Sequence, residues 1–187
     1  MSWKVDNAHT SLEFSTRHMM VSTVRGHFNE FSGEVELDPQ DLTRSWAKAE
    51  IKVASLDTRE ERRDAHLRSA DFFDVENFPL ITYQSRKIES HGDDRFLVQG
   101  ELTIKGITRP VELNVEFLGL ENSPYGFRVA GFEATGKVSR QDFGLTWNVA
   151  LETGGVMVGD EIKLRIDAEA DEVVESKLEA AVGAASS

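Results

Sequence analysis

The sequence predicts an all-β fold of eight antiparallel strands, and three observations lead to this prediction. Apolar and polar residues alternate with a period of two in eight segments of the chain, as expected for strands that bury one face. Turn-forming residues separate several of these segments, and helical patterning is confined to one insertion and the end of the chain. The pattern fits an antiparallel sandwich or an up-and-down barrel and does not choose between them.

The first predicted strand covers residues 12–20, and its alternation places a histidine among apolar residues. His18 shares one face with Phe14 and Met20. A polar group on a buried face needs a hydrogen-bonding partner. Two interpretations follow: His18 contacts the headgroup of a ligand, or it is a core histidine bonded to a backbone carbonyl or to an acidic side chain such as Asp64.

The second predicted strand covers residues 25–38 and departs from strict alternation. Phe28 and Phe31 are out of phase, which predicts a β-bulge near Asn29 and Glu30. The other six predicted strands cover residues 46–55, 81–88, 96–104, 111–117, 127–138 and 160–170.

Two turns are predicted between strands. Lys105-Gly106 is a two-residue hairpin signal, because glycine adopts the positive φ of a primed turn. The segment Ser123-Pro124-Tyr125-Gly126 marks another turn.

The helical insertion is predicted to begin at Thr58, whose hydroxyl would form a capping box with Glu61, and to end near Arg68. A weak acidic helix is predicted over residues 171–181. The predicted organisation is therefore one barrel domain, residues 1–170, followed by an acidic C-terminal tail, residues 171–187.

The composition excludes several classes of function. A formal net charge of −12 and a pI near 4.9 would repel nucleic acids and anionic membranes over most of the surface. With no cysteine, the chain has no disulfide, thiol nucleophile or thiolate metal ligand. The sequence shows no secretory signal and no apolar run of roughly 18 residues, so we expect no integral membrane segment and a cytoplasmic location.

Motifs of the common enzyme classes are absent from the sequence. It has no GxSxG elbow, P-loop, GxGxxG loop or kinase signature. The 5 histidines lack HxH or HExxH spacing. We therefore predict no catalytic residues, no metal and no cofactor, and a protein that is not an enzyme.

Small residues on the apolar faces leave room for a hollow interior. An eight-stranded barrel either fills itself with side chains or holds one ligand. The small residues on these faces are Ala47, Ala49, Gly100, Ala130, Ala134 and Gly136. They indicate space for an elongated apolar ligand, or they interlock with large residues opposite them. If space exists, each buried methylene favours a ligand by about 0.8 kcal/mol.

The helical insertion carries basic side chains along one face. At spacings of three and four lie Arg59, Arg62, Arg63 and His66. This stripe would either meet a phosphate or quinone headgroup at a barrel mouth or form a solvated face paired with nearby carboxylates. The phenylalanines that follow, Phe72, Phe73 and Phe78, would line the opening or plug the barrel end.

Motifs spread over nearly the whole chain resemble those of the YceI-like family. In family order they are Trp3-Lys4-Val5-Asp6, His9-Thr10, Arg17-His18-Met19, Val24-Arg25-Gly26-His27-Phe28, Phe31-Ser32-Gly33, Ser55-Leu56-Asp57-Thr58, Asp71-Phe72-Phe73-Asp74, Phe78-Pro79, Gly100-Glu101-Leu102-Thr103, Arg140-Gln141-Asp142-Phe143-Gly144 and Val158-Gly159-Asp160. The resemblance implies a lipocalin-like barrel that holds a long isoprenoid, with the helical insertion near its mouth, and often a homodimer.

The resemblance and the small inward residues together predict non-catalytic binding, storage or transport of a polyprenyl or quinone-type lipid. The predicted ligand-binding residues are Phe14, His18, Phe28, Ala49, Ile51, Arg63, His66, Phe72, Phe73, Phe78, Leu102, Phe132 and Phe143. A packed barrel without lipid, acting as a stress-response or protein-interaction module, is the alternative. A third hypothesis is an enzyme that acts on an isoprenoid through His18 or Arg63.

Overall fold

The computed structural model describes residues 1–174 and shows one closed antiparallel β-sheet. Its strands are β1 (Ser2–Val5), β2 (Ser11–His18), β3 (Ser22–Phe28), β4 (Phe31–Glu36), β5 (Trp46–Lys52), β6 (Leu56–Asp57), β7 (Leu80–Ser90), β8 (Arg95–Ile104), β9 (Ile107–Asn122), β10 (Arg128–Ser139) and β11 (Glu161–Glu172). The helix α1 (Glu61–Arg68) lies between β6 and β7, and 3-10 helices cover Leu42–Arg44, Val53–Ser55 and Arg140–Phe143.

These segments build an eight-stranded barrel because some barrel strands are interrupted. Both β1 and β2 pair with β11, with Trp3 opposite Glu172 and Leu12 opposite Ile166. In the same way β3 pairs with β2, and β4 pairs with β1. The ring closes where β1 meets β11. The predicted eight-stranded antiparallel barrel is confirmed, and the sandwich is not the fold.

The prediction of one continuous strand over residues 25–38 is wrong. The strand begins at Ser22, breaks at Asn29 and Glu30, and resumes as β4. After the break the chain changes partners, since Phe28 lies opposite Leu12 and Leu56 whereas β4 pairs with β1 and β5. The predicted bulge is therefore a full interruption, which explains the phase change of the phenylalanines.

The alternation of the first strand also ends earlier than predicted. Strand β2 stops at His18, and Met20 lies in the turn that follows, 60% exposed rather than on the buried face. In contrast, β9 begins at Ile107, before the predicted start at residue 111, although it contains Pro110.

Both predicted turns are confirmed. Lys105 and Gly106 have φ angles of 52° and 73°, the positive pair that a type I′ hairpin turn requires. Gly106 is also needed for space, because a Cβ there would lie 2.9 Å from the Phe78 ring. The turn between β9 and β10 closes with the Ser123 amide donating to the Phe127 carbonyl at 2.8 Å.

Helix α1 begins at Glu61, three residues after the predicted start at Thr58, and its cap is a different residue. The Glu60 carboxylate accepts hydrogen bonds from the amides of Arg62 and Arg63. The prediction of Thr58 as the cap is wrong, because its hydroxyl donates to the Asp64 carboxylate inside the protein.

The barrel has two distinct ends. The Trp3 end is the cluster of Trp3, Leu37, Ala130 and Ala170. The helix end, at the other terminus of β11, consists of α1, the 3-10 helix Arg140–Phe143 and the loop through Trp147. Strand β11 continues through Glu172, so the prediction of a helix starting at residue 171 is wrong there; residues 175–187 of the predicted tail lie outside the described range.

Candidate ligand-binding site

An apolar cavity of about 490 Å³ lies inside the barrel. Leu37 and Leu42 line it near the Trp3 end, and Arg140 and Trp147 line it at the helix end. Between them the inward side chains of the strands form its wall. Its volume falls within the range of about 300–1,000 Å³ that is typical of small-molecule sites. Side chains therefore do not fill the interior.

The cavity brings together all but one of the predicted ligand-binding residues. Those that line it are Phe14, His18, Phe28, Ala49, Ile51, Arg63, His66, Phe72, Phe73, Leu102, Phe132 and Phe143. Phe78 does not line it, because its ring packs over Gly106 at the β8–β9 turn. Contact of these residues with a ligand stays a prediction.

The small inward residues divide between the two interpretations. Ala47, Ala49 and Ala134 line the cavity and leave space in it. Gly100 instead makes room for a neighbour, since a Cβ there would lie 2.6 Å from atoms of the Tyr83 ring. Gly136 similarly accommodates Leu113, with a corresponding distance of 2.8 Å. Some of the small residues therefore leave space in the cavity, and others accommodate large neighbouring side chains.

Three aromatic rings close the cavity at the helix end. The His66 ring meets Trp147 and Phe72 edge to face, with ring centroids 4.7 and 5.1 Å apart. Phe72 and Trp147 contact each other at 5.4 Å. The outer nitrogen of His66, Nε2, lies 2.9 Å from the Asp71 carboxylate. This arrangement fixes the histidine by packing on one side and by an acidic partner on the other.

Arg63 is the residue of the basic stripe whose hydrogen bonds tie the helix to the chain before it. Its Nε donates to the Thr58 hydroxyl and its Nη2 donates to the Thr58 carbonyl, each at 2.7 Å. The Thr58 amide in turn donates to buried Asp64 at 3.0 Å. Arg59 and Arg62 are exposed and do not line the cavity. The stripe as a whole therefore does not face the interior; Arg63 and His66 do.

His18 lines the cavity at the end of β2. Within residues 1–174 its imidazole makes no hydrogen bond or ion pair, and Asp64 is engaged by Thr58 instead. The interpretation of His18 as a core histidine bonded to Asp64 is therefore wrong.

Arg140 belongs to one of the family motifs, but the sequence analysis predicted no structural role for it. Its guanidinium is 5% exposed and donates to the carbonyls of Gly159, Leu145, Trp147 and Val158, at 2.8, 2.6, 2.9 and 3.3 Å. Burial lowers the pKa of Arg140, and the nearby Asp160 carboxylate opposes that effect. Arg140 thus holds the loop of the helix end in place. The signal in the sequence was an arginine where a strand meets a loop rich in apolar residues.

Tyr83 is a cavity-wall residue that the sequence analysis missed. Its hydroxyl is buried and has no hydrogen-bond partner in the part of the chain that the structure describes. Burial raises the pKa of Tyr83 to about 12. Its inward direction, in phase with Ile81 on the same strand, was visible in the alternation, but a tyrosine is equally common on an outward face.

A closed antiparallel barrel around an apolar cavity defines the class of lipocalin-like binding barrels. The chain belongs to the YceI-like family, because the model of the YceI-like domain matches residues 3–170. It is 42% identical over 165 residues to the UPF0312 protein of Staphylococcus aureus strain N315, covering 88% of this chain and 94% of that protein.

Solved structures agree with this fold. BcnA of Burkholderia cenocepacia superposes with a TM-score of 0.76 and 25% identity, covering 88% of this chain and 98% of BcnA. A polyisoprenoid binding domain from Saccharophagus degradans gives a TM-score of 0.63 at 14% identity, covering 91% and 98% of the two chains. In residues 1–174, no helix has both the length and the apolar character needed to cross a membrane.

Proposed function

We propose that this protein binds, stores or transports a long isoprenoid lipid of the polyprenyl or quinone type, held unchanged inside the barrel. The observation that carries the proposal is the apolar cavity of about 490 Å³ along the barrel. The side chains that line an apolar cavity of this size lack packing contacts that a chain-like apolar ligand would supply. The homodimer and the cytoplasmic location stay predictions.

The shape and lining of the cavity favour an elongated apolar ligand over a compact polar one. Aliphatic and aromatic side chains line most of its length, from Leu42 to Trp147. Each ligand methylene buried there contributes about 0.8 kcal/mol, before the cost of ordering the chain. The Saccharophagus degradans protein with this fold is a polyisoprenoid binding domain, which supports the ligand class by likeness of fold.

The polar groups at the helix end support binding rather than catalysis. Arg63 is bonded to Thr58, and His66 is paired with Asp71. Arg140 gives its hydrogen bonds to backbone carbonyls. Groups held in this way suit the positioning of a headgroup, and His18 offers a further imidazole on the cavity wall.

The test compares two substitutions at adjacent residues of β10. Ala134 lines the cavity, whereas Thr135 is exposed on the outer face. Ala134→Phe would fill the cavity, and Thr135→Phe would add the same side chain outside it. We expect Ala134→Phe to lower the affinity for geranylgeraniol at least about tenfold, since several methylenes lose their place, and Thr135→Phe to leave it unchanged.

Affinity is measured by titration calorimetry, and lipids that copurify are identified by mass spectrometry of organic extracts. Unfolding in urea checks that both variants fold, because overpacking costs about 1–3 kcal/mol. If the wild type binds no isoprenoid, or if the two variants bind it with equal affinity, the cavity is not the lipid site. Turnover of the added lipid would instead support the enzyme hypothesis.

A further inference from the structure

Two loops at the helix end expose apolar side chains to solvent. Met19, Met20 and Val21 form the turn between β2 and β3, and their exposed fractions are 44%, 60% and 82%. Val149 and Val156 lie in the loop before β11 and are 42% and 36% exposed. We call these five residues the apolar tip.

The two loops touch, so the tip is one surface. The Met19 amide donates to the Met157 carbonyl at 2.8 Å. The Met20 sulfur lies 3.2 Å from where a Cβ would stand on Gly155. His18 and Val158 add a β-bridge at the base of the contact. The exposed side chains are therefore held together as a patch.

The turn that presents the methionines is strained. Met19 and Met20 have φ angles of 50° and 65°, in the left-handed region that glycine and asparagine occupy at low cost and bulky residues do not. Backbone strain of this kind is held in place by the surrounding structure and is found most often at functional sites. Exposed methionines are flexible and adapt to irregular apolar surfaces.

The two segments that contain the tip differ in charge from the rest of the chain. Residues 14–29 contain Arg17 and Arg25 and no carboxylate, and residues 144–159 contain Glu152 as their one charged side chain. The formal charges of these two segments add up to +1. Because the whole chain carries −12, the remaining residues together carry −13. The two segments therefore carry little of the negative charge that would repel an anionic layer.

The tip also continues into the wall of the cavity. Arg17 and His18 precede the methionines and line the cavity, as do Met157 and Val158 in the facing loop. We propose that the apolar tip docks on a lipid membrane and places the helix end of the barrel against the bilayer, from which the cargo passes. This inference rests on the proposed function for the cargo, but docking itself does not require a loaded cavity.

The test uses flotation of the full chain with two kinds of vesicle, phosphatidylcholine alone and phosphatidylcholine mixed with phosphatidylglycerol. The tip variant is Met19→Asn/Met20→Gly, whose Asn-Gly pair suits the positive φ angles and is expected to preserve or raise stability. The control is Leu118→Ser/Tyr125→Ser, which removes apolar side chains 58% and 85% exposed elsewhere on the surface. Neither pair lines the cavity.

We expect the wild type and the control to bind both kinds of vesicle through the inserted apolar side chains. The tip variant should bind mixed vesicles at least about tenfold more weakly, because the inserted apolar area is lost. Equal binding by the tip variant and the wild type would overturn the inference, and so would absence of wild-type binding. Self-association through the tip, seen by light scattering as a dimer that the variant loses, would also overturn it.

A second measurement separates this inference from the proposed function. Geranylgeraniol added from ethanol, without vesicles, loads the cavity directly. If the wild type and the tip variant load equally and only vesicle binding differs, both proposals are supported. If nothing loads while vesicle binding still depends on the tip, lipid carriage fails and docking stands.

Discussion

The two ends of the barrel are closed by different kinds of contact. At the Trp3 end, Trp3, Ala130 and Ala170 are at most 1% exposed. The Arg128 guanidinium lies 5.4 Å from the centre of the Trp3 ring and forms a bidentate pair with Glu172, at 2.9 and 2.7 Å. This end is therefore stabilised by apolar packing, by the Arg128 guanidinium over the Trp3 ring and by strand β1, which pairs with a strand on each side.

The helix end depends more on hydrogen bonds to the backbone. Of the residues of α1, Asp64 is the one that is buried. Arg68 connects the helix to the barrel by donating to the carbonyls of Ala54 and Leu56, at 3.1 and 2.7 Å. Arg140 secures the adjoining loop in the same manner. Helix α1 has no fully buried apolar side chain, and such segments open at lower free energy than a packed core, so displacement of α1 is the expected route of a ligand.

The first prediction concerns the packing of the Trp3 end. Trp3→Ala should lower the free energy of unfolding by about 3–5 kcal/mol, the usual cost of removing a buried tryptophan. Trp46→Ala is the matched control, because Trp46 is 38% exposed and should cost clearly less. Urea denaturation measures both. Equal losses would mean that the Trp3 cluster does not carry the stability assigned to it.

The second prediction concerns the helix end. Arg140→Lys keeps the charge but cannot reach four carbonyls, so we expect a loss of about 2–3 kcal/mol. Hydrogen exchange should show the loss first in residues 144–159, whereas after Trp3→Ala it should appear throughout the barrel. Arg95→Lys, at an exposed arginine, is the control. If Arg140→Lys instead increased hydrogen exchange equally throughout the barrel, the two ends would not be stabilised in different ways.

The alternation of side chains allowed most of the barrel to be predicted. The last strand alternates through Ile162, Leu164 and Ile166 against charged residues, and the structure pairs it along its length. The same alternation placed the strand residues Phe14, Ala49 and Leu102 on the cavity wall, because the direction of a strand side chain follows from its position alone.

What alternation could not supply is register and long-range partners. The break at Asn29 reflects a change of neighbouring strand, which no local pattern encodes. Thr58 has the chemistry of a cap, yet its hydroxyl bonds to Asp64. Phe78 is as apolar as Phe73, but it packs on Gly106, in a turn that is distant in sequence. Closure of the barrel and the size of its cavity likewise depend on contacts between distant segments.

The third prediction concerns Tyr83, in the barrel wall between the two ends. Tyr83→Phe removes a buried hydroxyl that lacks a partner in the described structure, so it should leave stability unchanged or raise it by up to about 1 kcal/mol. The pKa of Tyr83 is raised to about 12 from 10.0. The unfolded chain therefore loses this proton first as the pH rises, and the wild type should lose stability between about pH 10 and 12.

The phenylalanine variant should show a smaller alkaline loss than the wild type in urea unfolding measured across this range. Tyr125→Phe, at a residue that is 85% exposed, controls for the titration of an ordinary tyrosine. An identical pH dependence for wild type and Tyr83→Phe would show that the hydroxyl is not buried in solution.

The smallest expected effect comes from the surface turn between β1 and β2, which lies outside both ends. The Nδ1 atom of His9 lies 2.7 Å from Asp6 and 3.6 Å from Glu169. The hydrogen bond with Asp6, then the charge of Glu169, raises the pKa of His9 above 6.5. The protonated form thus stabilises the folded state below pH 6.5, and this contribution is lost as the pH rises through the folded pKa. NMR titration should give His9 a pKa above 6.5, and His9→Gln should remove the matching pH dependence of stability without changing vesicle or lipid binding. A His9 pKa at or below 6.5 would show that the ion pair does not form in solution.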